Sequence, residues 1–299
     1  MRKKVYSASV TPLTADGALD VGGLNRIFER NIRHGLDGIF ILGSMGEWNR
    51  FSDAFRDRMV EESVKAVAGR IELLVGITAK SLDGALANLR RASAHAFDSY
   101  VFMLPNVAEV QDPVRDVCAV LDAADRPVYY YHCPPNNKID LSLAQFEAIL
   151  SHPNLKGIKN SSSSMWLRRE LILLKRDKGL NPVLLEGQEW ADDEALIVGC
   201  DGILCGMGAL GSKLMVGIAR AVDAGDVAEA VRLQNRFIRL FHGVYGPGLE
   251  TVWVGQKYAL KCLGLCASEL TLAQEMTALT ETRKREIEAC VETFREELD

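Results

Sequence analysis

Nowhere in these 299 residues does an apolar run approach the roughly 18 positions that a membrane-crossing helix needs, so none is expected. Positive charge is not in excess: 35 Lys and Arg against 40 Asp and Glu give a formal charge of −5. The chain as a whole therefore has no pull toward nucleic acid or an anionic membrane, and an anionic ligand must be held by local groups. The start, Met1-Arg2-Lys3-Lys4, is basic, but the apolar stretch behind it, Val5–Val10, is too short for the core of a secretory leader. Zinc patterns are missing too. The seven cysteines (Cys118, Cys133, Cys200, Cys205, Cys262, Cys266 and Cys290) are odd in number and scattered, and no second pair or nearby histidine completes the Cys262/Cys266 spacing. Reduced, mostly buried thiols in a cytoplasmic protein without a metal site are the expectation. Repeats of 20–50 residues and low-complexity linkers are also lacking.

What is present is an alternation. Short apolar, β-rich runs bounded by Gly, Pro, Asp or Ser fall at Val5–Val10, Gly38–Leu42, Ile71–Ile77, Tyr100–Leu104, Val128–Tyr131, Leu155–Lys159, Val183–Glu186 and Gly202–Leu204. Their nearly continuous apolarity suits parallel strands covered on both faces. Between them lie stretches of helical period. One such face is Leu24, Ile27, Phe28 and Ile32, opened by Asp20 and closed by Gly35; another is Met59, Val60, Val64 and Val67. Eight strands each followed by a helix is the count of a (β/α)₈ barrel, with a doubly wound open sheet as the competitor. After about Ala224 strand signals stop, and Val227–Tyr245, Thr251–Leu263 and Thr280–Leu298 all read as helices. The expected organisation is a barrel over residues 1–224 carrying the active site and a helical C-terminal domain over 225–299.

In a parallel barrel reactive groups gather at the C-terminal ends of the strands. Lys159 ends the sixth run, Leu155-Lys156-Gly157-Ile158-Lys159. An amine at the lip of an apolar strand is partly desolvated, which lowers its pKa as Schiff-base chemistry requires. Tyr131 ends a run of three tyrosines and shares a face with Tyr129, while Tyr130 and His132 point the other way. A phenol near Lys159 could pass protons. The turn Gly43-Ser44-Met45-Gly46-Glu47 pairs a hydroxyl with backbone N–H groups that a carboxylate can approach; a plain strand-to-helix turn explains it equally. Glu47 beside that turn is expected to support it by hydrogen bonding. Gly206-Met207-Gly208-Ala209-Leu210-Gly211 matches the dinucleotide fingerprint, but no second βα unit with an acidic residue follows, so a tight turn lining the site is the better reading.

Taken together, Val10-Thr11-Pro12, Gly43-Ser44-Met45-Gly46-Glu47, Tyr131 with Pro134, and Gly157-Ile158-Lys159 resemble the family of dihydrodipicolinate synthase and N-acetylneuraminate lyase. The resemblance spans the chain and keeps the motif order, with 28 residues from Tyr131 to Lys159. It implies a (β/α)₈ barrel with a helical tail, a homo-oligomer (tetramer or dimer), and an imine between Lys159 and the ketone of pyruvate or another 2-oxo acid, with no separate cofactor. On that likeness Tyr131 relays protons, Ser44 and the Met45 N–H hold the 2-oxo acid carboxylate, and Ser161, Gly187, Glu189 and Gly206 contact the rest of the substrate. The implied activity is a class I lyase acting on a 2-oxo acid with an aldehyde partner, making or breaking a C–C bond, or dehydrating a 2-keto-3-deoxy acid.

Four positions depart from the family's pattern. Met45 replaces a second hydroxyl-bearing residue in the turn, and Val107 stands where synthases carry a relay tyrosine. Asn136 stands where they carry an arginine for the second substrate's carboxylate, and Trp190 where sialic acid lyases carry an acid. Met45, Val107 and Trp190 are expected to make the distal pocket apolar, favouring a less polar aldehyde. The alternatives are 4-hydroxy-tetrahydrodipicolinate synthase and, from another class, a 2-oxo-acid-binding protein without turnover.

Overall fold

The computed structural model describes residues 2–273 and 278–299. Eight parallel strands, β1 (Lys4–Ala8), β2 (Gly38–Ile41), β3 (Glu72–Gly76), β4 (Ser99–Phe102), β5 (Val128–His132), β6 (Leu155–Asn160), β7 (Val183–Glu186) and β8 (Gly202–Cys205), pair in sequence order. β8 then pairs with β1, closing the barrel. The competing open sheet is thereby ruled out.

Strand ends depart from the sequence reading where the backbone turns. Leu42 leaves β2 in a left-handed conformation, φ 55°. Its carbonyl lies against Gly76, where an added Cβ would sit 2.2 Å from that oxygen. Only glycine allows this approach. β4 stops at Phe102 because the Met103 N–H is taken by the Thr78 hydroxyl at 3.0 Å rather than by a strand. β5 and β6 each run one residue further, pairing His132 with Asn160.

Side-chain alternation divides the apolar residues into two layers. Tyr6, Phe40, Leu74, Val101, Tyr129, Tyr131, Leu185 and Leu204 fill the barrel interior. Tyr100, Tyr130, Ile158 and Ile203 face the surrounding helices. Helix starts are set by side-chain caps: Asp20, Ser52, Ser81, Asp112, Ser142, Ser164, Asp226 and Thr280 each accept a backbone N–H of the first turn. Beyond β8 the chain continues as helices Gly208–Asp223, Val227–Tyr245, Val252–Cys262, Glu281–Thr293 and Arg295–Leu298. Among the described residues no helix is long and apolar enough to cross a membrane.

His132 lies in the outer layer. It is fully buried, its ring 5.0 Å from Phe146, and neither ring nitrogen finds a hydrogen-bonding partner among the described residues. Burial pushes its pKa down to about 4. The unfolded chain takes up this proton near pH 6.5 and the folded chain only near 4, so stability present above pH 6.5 is lost as pH falls toward 4. The loss from this group should total about 3 kcal/mol. Denaturant midpoints of His132→Phe measured from pH 7 to pH 4 should fall less steeply than those of the unmodified protein; parallel slopes would show that the histidine does not carry this sensitivity.

Candidate functional site

Barrel closure brings the strand ends together, and β5–β6 register makes Tyr131 and Lys159 direct neighbours across the sheet. Both are buried, with 7% and 5% of their surface exposed. The Lys159 Nζ lies 4.3 Å from the centre of the Tyr131 ring and 5.7 Å from that of Phe40. Burial depresses its pKa, opposed by Cys205, Cys133, Glu189 and Glu186. A desolvated amine facing aromatic rings spends more time neutral than an exposed one, and only the neutral form is a nucleophile.

The Tyr131 phenol is pushed far above its ordinary pKa, first by burial, and stays protonated. Its hydrogen-bonding neighbours are the Cys133 thiol and the Ser161 and Ser44 hydroxyls. Ser44 in turn accepts from the Asn136 amide at 3.3 Å. Asn136, Ser44, Tyr131 and Ser161 thus form one polar chain running up to Lys159.

Across the mouth of the barrel, Gly187 follows β7. A Cβ there would lie 2.2 Å from the Ser161 Oγ and 2.9 Å from the Lys159 Cε, so the glycine makes room for the amine. Glu189, in a 3₁₀ turn of residues 189–191, accepts the N–H groups of Met207 and Gly206. Burial raises its carboxyl to about 7, against the pull of those two N–H groups and of Lys159. A group titrating there can take or give a proton at neutral pH. Met45 packs on Gly206, whose added Cβ would lie 2.8 Å from the Met45 Cγ and 3.1 Å from its sulfur. All eight residues expected from the sequence therefore fall at one mouth: Ser44, Met45, Tyr131, Lys159, Ser161, Gly187, Glu189 and Gly206.

The structure adds members that the sequence reading did not single out. Cys133 touches the Tyr131 hydroxyl. Behind Glu189, the buried Asp192 accepts from the Cys205 thiol at 3.2 Å, and burial pushes both well above their ordinary values. Glu47 does more than hydrogen-bond: it forms a fully buried ion pair with Lys257.

A cavity of about 820 Å³ opens on the Ser44 side, its wall part polar (Lys80, Asn106, Asn136) and part apolar (Met103, Leu104, Trp253), and Met45, Val107 and Trp190 are not among its lining residues. Val107 is 47% exposed on a short turn after β4, and Trp190 lies against Phe241 with its indole N–H on His242 at 3.1 Å. Neither side chain lines this cavity: Val107 faces solvent and Trp190 is turned onto the helix carrying Phe241 and His242.

A model described as the dihydrodipicolinate synthetase family matches residues 1–294. The chain is 26% identical over 277 residues to 4-hydroxy-tetrahydrodipicolinate synthase of Gluconacetobacter diazotrophicus, covering 91% of each. It is 28% identical over 292 residues to the probable 2-dehydro-3-deoxy-D-pentonate aldolase YjhH of Escherichia coli, covering 94% of this chain and 95% of that one. Its fold superposes on a dihydrodipicolinate synthase from Bacteroides thetaiotaomicron with a TM-score of 0.89 and 25% identity, over 97% and 98% of the two chains.

Gly187→Ala should displace the Lys159 amine and Ser161. A reacting atom misplaced by about 1 Å costs on the order of 10²-fold in rate. Turnover should fall by about that factor, with the thermal midpoint shifted by only a few degrees because the change lies at the open mouth. Unchanged turnover would mean the glycine is not needed for clearance.

Proposed function

This chain belongs to the dihydrodipicolinate synthetase family, is an enzyme of the lyase and aldolase type, and we propose that it works through an imine between Lys159 and pyruvate or another 2-oxo acid. The observation that carries the proposal is the buried Lys159 amine, pKa depressed, 4.3 Å from the ring of a tyrosine that stays protonated.

In this reading the neutral amine adds to the ketone carbon, and the carbinolamine loses water with a proton from Tyr131. The protonated imine then accepts the electron pair of the breaking C–C bond, or its enamine attacks an aldehyde carbon in the opposite direction. Hydrolysis returns the amine. The Ser44 hydroxyl and the Met45 N–H hold the 2-oxo acid carboxylate, which orients the ketone. Ser161, Gly187, Glu189 and Gly206 meet the remainder of the substrate. The cavity beside Ser44, with both amide and apolar walls, gives an aldehyde partner space. The imine itself is the electron sink, so the proposal needs neither metal nor cofactor. It places the enzyme in the cytoplasm as a homo-oligomer, tetramer or dimer.

Borohydride added with pyruvate should label Lys159 alone, read by peptide mass mapping. Lys159→Arg should abolish labelling, because guanidinium stays protonated. Exhaustive chelation should leave turnover unchanged. Label on another lysine, or none on active protein, would sink the imine assignment.

A second reading, 4-hydroxy-tetrahydrodipicolinate synthase, is favoured by the names of several relatives. Against it, Asn136 puts an uncharged amide on Ser44, and Val107 supplies no phenol. Losing a proton-transfer group costs roughly 10²–10⁴ in rate. Condensation of pyruvate with aspartate semialdehyde, coupled to the downstream reductase, should run at least about 10²-fold below an authentic synthase. Comparable efficiency would make the synthase reading correct.

A further inference from the structure

Helix Val252–Cys262 stands outside the barrel, yet one of its faces reaches two of the turns that form the mouth. Positions 253, 256 and 257 are related by i, i+3 and i, i+4 and so project on one side. The Trp253 indole N–H donates to the Ser44 carbonyl at 3.2 Å. The Gln256 amide donates to the Gly206 carbonyl at 3.0 Å and is itself fixed by the Tyr245 hydroxyl. The Lys257 ammonium pairs with Glu47, three residues beyond Ser44, and also donates to the Leu270 carbonyl at 2.8 Å. Between the two turns Met45 rests on Gly206.

The grip is built in depth. Gln256 and Lys257 are fully buried and Glu47 almost so. The second Glu47 oxygen accepts from the Thr271 hydroxyl and from the Leu272 and Ala273 N–H groups. Glu47 holds φ 56°, a left-handed conformation that a non-glycine residue keeps only when its surroundings fix it. The Gly46 carbonyl is tied separately by the Thr11 hydroxyl at 2.8 Å.

We infer that this helix sets the geometry of the 2-oxo acid carboxylate pocket, with Trp253 and Gln256 as positioning residues that act through Ser44 and Gly206. The inference rests on the assignment of Ser44 to that carboxylate. Lys257 anchors the helix and Trp253 fixes the spot where the carboxylate sits, so loss of the indole N–H weakens 2-oxo acid binding and leaves the chemistry of Lys159 intact.

The test uses the full-length protein and borohydride trapping with pyruvate as the probe. Trp253→Phe keeps the ring and removes the N–H; Gln256→Met keeps the length and removes the amide. Each should raise the pyruvate concentration for half-maximal labelling about fivefold. The labelling rate at saturation should stay within about twofold of the unmodified protein. Ile287→Ala, a buried truncation in the neighbouring helix Glu281–Thr293, controls for stability alone: it should lower the thermal midpoint and leave half-saturation unmoved. Half-saturation unchanged in both Trp253→Phe and Gln256→Met would overturn the inference. So would an equal shift in Ile287→Ala. Failure of the unmodified protein to label would be a separate outcome, overturning the imine reading and this inference with it.

Discussion

The depressed pKa of one amine is the constraint on which the rest depends. Burial depresses the pKa of the Lys159 amine, and water is kept from it by a shell that no single element could build. Phe40 comes from β2, Tyr131 from β5, and Gly187 from the turn after β7. Closure of the strands into a ring is what brings these distant segments within reach of one atom. The same enclosure keeps the Tyr131 proton on its oxygen. One cause thus biases both groups toward their neutral forms, lowering the pKa of the amine and raising that of the phenol.

Such enclosure has a cost elsewhere. Glu186 pairs with Arg168 behind the mouth, both almost wholly buried, and Glu47 pairs with Lys257 beside it. Buried pairs of this kind seldom add net stability over apolar substitutes, but removing one partner costs about 3–5 kcal/mol. Their effect here is directional. A carboxylate with four donors around it cannot rotate freely, and the turn that carries it keeps one shape. Asp192 and Cys205 show another solution: two buried acids, both with raised pKa, share one hydrogen bond.

Much of this was legible in the sequence, for reasons that differ by residue. The strands were readable because full burial on two faces leaves long apolar runs between Gly and Asp. Lys159 stood out because a cation is out of place at the end of such a run. Ser44 and Tyr131 were found because motifs at successive strand ends must converge if the barrel closes, and Glu189 through the family likeness. Cys133, Trp253, Gln256 and Asp192 were not singled out as members of the site, and the contact of Asn136 with Ser44 was not foreseen, since each gains its meaning from a contact rather than a pattern. Asn136 reaches Ser44 across 92 positions and Trp253 across 209. Val107 and Trp190 were read as pocket walls because position along the chain does not reveal which way a short 3₁₀ turn will carry a side chain.

The span between Glu47 and its partners has a consequence for how the enzyme comes into being. Lys257 lies 210 residues downstream, and the Ala273 N–H that completes the cradle lies 226 downstream. A nascent chain emerging from the ribosome holds Ser44, Tyr131 and Lys159 long before it holds their clamp. Until Lys257 and then residues 271–273 are free of the exit tunnel, the Glu47 carboxylate lacks its partners, so a chain ending before them would carry Ser44, Tyr131 and Lys159 without the cradle that fixes the Glu47 turn.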